Sequence, residues 1–226
     1  MIKFENIDVF GWEAAIRGMR NSWNSHEKSD SGYVPMIASW GQDRAEQVYT
    51  VGDADLTLMK QLAGAGASHA KYRRYINVTV DITAPLYWWK EYDTYKIGTV
   101  ANSESTMHTL VNRPLTLEDF AVDYIKEDDD STVHFLDIVY HINDLRDEYI
   151  VLRDSGDDKY ARRTWYQIIQ FLPSSFLQKR TVQLNYEVLA HIWKDRKNHK
   201  LDEWREGFCR EFIKKLPYSE GIIWTT

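Results

Sequence analysis

Cysteine is nearly absent from this chain. Cys209 stands alone among 226 residues, which excludes an intramolecular disulfide and a thiolate metal cluster, and makes a reducing, cytoplasmic setting the expectation. Long apolar runs are missing as well. Nothing approaches the ~20 residues of a membrane-spanning helix, so no membrane partner is expected. The opening stretch MIKFENIDVFGWEA is interrupted by charge every few residues and lacks the apolar core of a signal peptide. Positive charge is in deficit, with a formal net charge of −6. Duplex nucleic acid is held chiefly through neutralised phosphates, so no nucleic-acid partner is expected. There is no His-Glu-x-x-His motif, no Gly-x-Ser-x-Gly elbow and no glycine-rich phosphate loop, which leaves zinc-protease and Ser-His nucleophilic chemistry without support.

What the chain has in excess is aromatic. Nine Trp and 14 Tyr are more than one core of this length needs, and large rings also make ligand walls and subunit contacts. The length suits a single domain spanning residues 1–226. The richest stretch is Ala84 to His108, APLYWWKEYDTYKIGTVANSESTMH, where an aromatic run leads through a small-residue turn at Gly98 into Asn102, Ser103, Ser105 and Thr106. Aromatic faces suit a flat ring ligand, while hydroxyl and amide groups suit its polar edges. Taken alone, Trp88 and Trp89 read as core or interface.

Local patterns give an order of elements. IKFENIDVFGW alternates like a strand, Trp12 to Met19 reads as a helix, and RNSWNSHEKSDSG reads as a loop. Asp53 resembles an N-cap ahead of Leu56, Met59 and Leu62, in a helix that stops at the glycines of LAGAGASH. Tyr72 to Ile82 is β-branched and alternating, hence a strand. Pro85 suits the first turn of a helix through LYWWKEYDTYK. Thr116 opens a capping-box-like segment, and the acids Glu127 to Asp130 read as a solvated loop. Thr132 to Leu152 carries a helical stripe of Phe135, Leu136, Val139, Ile142, Leu145 and Tyr149. Trp165 to Leu172 is a further helical stretch, Phe176 to Lys194 a long amphipathic one, and Leu201 to Leu216 a last helix closed by Pro217.

These segments resemble the flavin-dependent thymidylate synthases, the ThyX family. That family's pattern runs through an Ala-Pro step, an Arg-Gln-Trp helix, Arg-His-Arg, a small-residue turn and Asn-x-x-Ser-x-Arg-Tyr. Ala84-Pro85 fits the step, Lys90-Glu91-Tyr92 falls on Arg-Gln-Trp, and Thr94-Tyr95-Lys96 on Arg-His-Arg. Asn102 and Ser105 return to register after one extra residue. Ser68-His69 resembles the family's Gly-His-x-x-Pro-x-Glu-His, with Arg74 on the glutamate. Leu172-Pro173 and Asn185-x-x-x-Leu189-x-x-Ile192-x-x-x-Arg196 resemble its Leu-Pro and Asn-x-Arg-Ser-Leu-x-x-Phe-x-x-x-Arg.

The resemblance implies an α+β fold, an antiparallel sheet packed with long helices, and FAD bound between subunits of a homotetramer. It implies reductive methylation of dUMP, a small-molecule nucleotide, with methylenetetrahydrofolate and NADPH as co-substrates. His69, Thr94, Tyr95, Lys96, Asn102, Asn185 and His191 would bind the flavin. Lys90, Glu91, Ser105, Thr106 and Arg196 would bind the nucleotide, with Ser105, Tyr95 and Lys96 as catalytic candidates. Glu187, Ile169, Thr94 and Met107 stand where the family has arginine. A nucleoside monophosphate carries about two negative charges, and arginine forks normally hold such a group. Loss of four points either to a changed substrate or to other cations such as Arg73, Arg74, Arg162 or Arg163. The first alternative is a ThyX-type protein that keeps the fold and oligomer without the catalysis, acting as a flavin- or nucleotide-binding or interaction protein. The second is a metal-dependent hydrolase on the stripe His134, Asp137, His141, Asp144 and Glu148, whose plain reading is a solvated helix face.

Overall fold

Alternation in Asn77–Pro85 buries Val78, Val80, Ile82 and Ala84 on one side of a strand, as the period of two requires. It belongs to a computed structural model that describes residues 2–35 and 47–224. Strands β1 (Lys3–Phe10), β4 (Asn77–Pro85), β6 (Leu177–Asn185) and β5 (Val100–Ser103) form a sheet in the order β1-β4-β6-β5. A second sheet pairs β2 (Gly32–Pro35) with β3 (Gln47–Thr50). The latter pair is antiparallel, with Gly32 opposite Thr50 and Pro35 opposite Gln47. The fold is α+β with an antiparallel sheet. By contacts the chain divides into two units, and the division falls inside β1, β4, β5 and β6.

The first unit comprises the described parts of Met1–Lys3, Asp81–Thr94 and Ala101–Thr181. Its framework is the helix pair α5 (Asp129–Asp154) and α6 (Asp158–Phe171). The predicted stripe is real: Phe135, Val139, Ile142 and Leu145 are buried with Leu110, Leu115, Phe120, Val122 and Ile168. Asn143 clasps the connecting chain, its Oδ1 accepting from Leu115 N at 2.7 Å and its Nδ2 donating to Leu115 O at 2.9 Å. The acidic run is more ordered than a solvated loop. Asp128 caps α5 by accepting from Ser131 N, and Asp129 and Asp130 fill the first turn, where the helix dipole favours negative charge. Helix α6 begins at Asp158, seven residues ahead of Trp165. Pro85 ends β4 and is at the same time the N-cap residue of α3 (Leu86–Tyr92), which stops four residues short of Lys96. The short helix α4 is Thr106–Thr109. The predicted capping box holds, with Thr116 and Asp119 satisfying each other's backbone.

The second unit comprises the described parts of Phe4–Val80, Tyr95–Val100 and Val182–Thr226. It holds α1 (Trp12–Arg20), α2 (Asp53–Gly64), α7 (Tyr186–Arg196) and a π-helix, Glu203–Phe212, continued by a 3₁₀ turn that stops before Pro217. Phe176 to Lys194 is therefore not one amphipathic element. Gln178, Val182 and Leu184 alternate inward as a strand, and the helical period starts only at Tyr186. The strand read from Tyr72 starts at Asn77, because Ala70–Arg74 turns as a 3₁₀ helix. Asp53 is the first helical residue of α2, not its cap. Asp30 does that work, accepting from Ala54 N at 2.8 Å and Asp55 N at 3.0 Å. Beneath it lies a buried ion pair, Arg20 Nε to Asp55 Oδ1 at 2.6 Å, with Ser29 and Ser31 hydroxyls on the other carboxylate oxygen. Burial pushes the Asp55 pKa up, but those hydroxyls and Arg20 outweigh it and hold the carboxyl below its usual range. Cys209 is buried in the π-helix, and burial pushes its thiol up to about 12.

Candidate functional site

Helix α7 organises the second unit's polar groups. Asn185 is its N-cap, with Oδ1 accepting from Glu187 N and Val188 N at 3.1 Å each. The cap works because Asn185 ends β6 in an extended conformation, which leaves the first helical amides open. The Tyr95–Val100 segment approaches this cap at Gly98. There φ is +77°, and a Cβ would lie 3.1 Å from Val188 Cγ2 and 3.2 Å from Asn185 Nδ2. Glycine serves both the backbone and the spacing.

At the far end of α7, Arg196 reaches back across 101 residues. Its Nε donates to the Tyr95 hydroxyl at 2.9 Å, and its guanidinium lies 5.0 Å from the Trp204 ring centroid. Two residues singled out from separate sequence segments are thus directly bonded. Burial raises the Tyr95 pKa and Arg196 counters it; Asp195 adds to the rise. The Tyr95 hydroxyl is therefore a neutral donor at neutral pH. Lys96 follows it, exposed.

His191 Nε2 stands 3.4 Å from Glu187 Oε1, one turn back on α7, and Arg73 Nη1 stands 3.6 Å from Glu187 Oε2. Glu187, where an arginine belongs in the ThyX pattern, is 6% exposed. These groups line a cavity of about 440 Å³. His69 is elsewhere in the unit. It is exposed and lines a cavity of about 700 Å³ with Trp23, Lys71, Tyr72 and Tyr75, and none of the α7 residues reach that cavity. His69 and His191 therefore do not share one pocket.

In the first unit the aromatic run is core. Trp88, Trp89 and Tyr92 are 0–2% exposed, so they do not offer a ligand platform. Trp89 Nε1 donates to Gln178 O at 3.0 Å, and Arg180 lies 4.2 Å over the Trp89 ring while bonding Asp93 at 2.8 Å. Gln178 Nε2 donates to Thr106 Oγ1 at 3.1 Å and to Glu104 O at 3.0 Å, which anchors the hydroxyl-rich segment. Ser105 is exposed ahead of α4, its carbonyl accepting from His108 N and Thr109 N. Asn102 is exposed on β5 beside Lys179 and Thr181 in a shallow cavity. Lys90 is exposed, Glu91 is half-buried, and Thr94 donates to Glu91 O at 2.7 Å. Gln178 and Arg180 were not among the sequence candidates. Their one signal is polar residues at strand period in a strand with apolar ends, which is weak.

The carboxylates and imidazoles of α5 stay on exposed faces. Among the described residues, no three His, Cys, Asp or Glu side chains are placed to hold a metal ion. No described helix is long and apolar enough to cross a membrane.

The fold defined by these elements is of the ThyX type. Two solved structures of Thymidylate Synthase X from Helicobacter pylori, each with FAD and dUMP, superpose at TM-scores of 0.64 and 0.63 with 14% and 16% identity. The first match covers 97% of this chain and 95% of that one, and the second covers 94% of each. The UMP/dUMP methylase PolB from Streptomyces cacaoi, bound with 5-Br dUMP, matches at TM-score 0.53 and 15% identity over 85% of this chain and 76% of its own. No family model and no curated protein sequence matches the chain. At such identities the likeness is one of fold.

Proposed function

We propose that this chain is a divergent thymidylate-synthase-like enzyme that binds FAD and methylates dUMP or a related nucleotide, drawing on methylenetetrahydrofolate and NADPH. The observation that carries the reading is the Arg196–Tyr95 bond. It fixes a guanidinium over Trp204, and a fixed guanidinium suits a phosphate better than a mobile lysine does. Arg196 is assigned to the nucleotide phosphate, with Lys90, Glu91, Ser105 and Thr106 as further nucleotide contacts. His69, Thr94, Tyr95, Lys96, Asn102, Asn185 and His191 are assigned to the flavin. Tyr95, held neutral, would keep a proton available beside Arg196. The donor set fits these groups in kind: one fixed guanidinium for the phosphate, amides and hydroxyls for ring edges. The flavin, when bound, supplies the hydride chemistry, and the protein supplies orientation and field. A homotetramer and a cytoplasmic setting belong to the same reading.

The test is direct. Full-length protein incubated with FAD and desalted should retain flavin absorbance, and dUMP should then perturb that spectrum. A colourless protein overturns the reading. A second reading rests on Glu187, a buried acid where the family pattern has a base: the fold binds its ligands without the methylation. Flavin retention without NADPH oxidation in the presence of dUMP and folate would select it.

A further inference from the structure

The cavity beside His191 is unusual in a chain of net charge −6. Four cations line it, Lys60, Arg73, Lys194 and Lys197, against the one carboxylate of Glu187. Such a concentration in a concave site raises the local potential for anions. Its wall is aromatic. Trp193 and Trp224 lie with ring centroids 5.7 Å apart at 38°. The Trp224 ring is held by its Nε1 donating to Ser219 Oγ at 3.1 Å, in a turn where Ser219 O accepts from the amides of Ile222, Ile223 and Trp224. Gly221, with φ of +79°, lets the Lys60 stem lie close, since a Cβ there would meet it at 2.9 Å.

Beneath this lining lies a buried charge pair. Glu187 is buried, yet its Oε2 has no hydrogen-bond partner among the described residues, and neither has the buried Nε of Arg73. Arg73 meets that oxygen through Nη1 at 3.6 Å, an ion pair too long for a hydrogen bond. Both atoms are enclosed, so the Arg73–Glu187 pair is a buried, under-satisfied contact that fixes the floor of the cavity, while the groups open to a guest are the lysines and the tryptophan rings.

We propose that this cavity binds a nucleoside diphosphate moiety. The phosphates face Lys60, Lys194 and Lys197, and the base lies against Trp193 and Trp224. The moiety has two sources, a free nucleotide or the ADP half of a dinucleotide cofactor.

Calorimetric titration of the full chain with ADP tests this. Binding is expected, with adenosine at least about tenfold weaker because it lacks the charges the lysines recognise. The triple variant Lys60→Gln, Lys194→Gln, Lys197→Gln changes only exposed side chains and should keep the wild-type melting temperature while losing about tenfold or more in ADP affinity. ADP binding should also quench tryptophan emission, and Trp224→Leu should reduce that quench. ADP displaced by FAD identifies the cofactor's own half; ADP retained under saturating FAD identifies a separate nucleotide site. Absence of ADP binding, or ADP affinity unchanged in the triple variant, overturns the proposal. If FAD binds while ADP does not, this inference fails and the flavin reading stands. If ADP binds while FAD does not, the reverse holds.

Discussion

Two aromatic clusters in this molecule look alike in composition and differ in everything else. Trp88, Trp89 and Tyr92 are packed at ring distances of 4.8–5.3 Å and fully enclosed. Trp193 and Trp224 face an open, cation-lined cavity. The first cluster attracts attention because its members are adjacent in the chain, but helical adjacency spreads them round a core. The second is invisible in sequence, its members 31 positions apart. Aromatic density along the chain marks burial here, whereas the pair open to a cavity is assembled from distant positions.

The sharpest way to break this contrast is Trp88→Ala. Emptying a fully buried indole site should cost about 3–5 kcal/mol in denaturant unfolding, whereas Trp224→Leu should cost far less and act on ligand affinity. Equal losses would erase the distinction. Asp55→Ala comes next, because it strands the buried Arg20 charge and should cost about 3–5 kcal/mol. The same carboxyl predicts a pH limb. Its folded pKa is depressed, so its contribution is whole above the usual aspartate range and is lost as pH falls from there through the lower folded value. Unfolding free energy measured from neutrality into acid should show this limb in the wild type, and Asp55→Asn should flatten it. Arg196→Ala should weaken dUMP binding by about tenfold or more, with Tyr95→Phe losing less, measured by calorimetry. The smallest effect is expected of Asp30→Ala, about 1 kcal/mol of melting stability from an uncapped α2.

Where burial follows chain period, the sequence was readable. The stripe on α5 and the alternation in β4 both carry their core face in the spacing of apolar residues, and the structure buries those positions. Capping was readable only when local: Thr116 and Asp119 sit three apart, while Asp30 caps a helix that begins 23 residues later and Asp53 took the credit. The strand β6 was masked because Lys179, Arg180 and Thr181 interrupt its apolar alternation, so the following helix lent it its own period. Of the site, Tyr95 and Arg196 were each named, but their bond is a product of chain folding that no local spacing encodes. The same is true of the ion pair between Arg73 and Glu187. His69 and His191, both named for the flavin, line different cavities of the single chain.

Cys209 offers a practical consequence. A lone thiol, buried in the π-helix and pushed up to about 12 by burial, stays protonated and shielded near neutral pH. The native chain is thus already suited to single-site chemical labelling. A cysteine placed by Lys194→Cys or Lys90→Cys would be the one reactive thiol, so a maleimide dye or spin label could report on either unit without first removing anything.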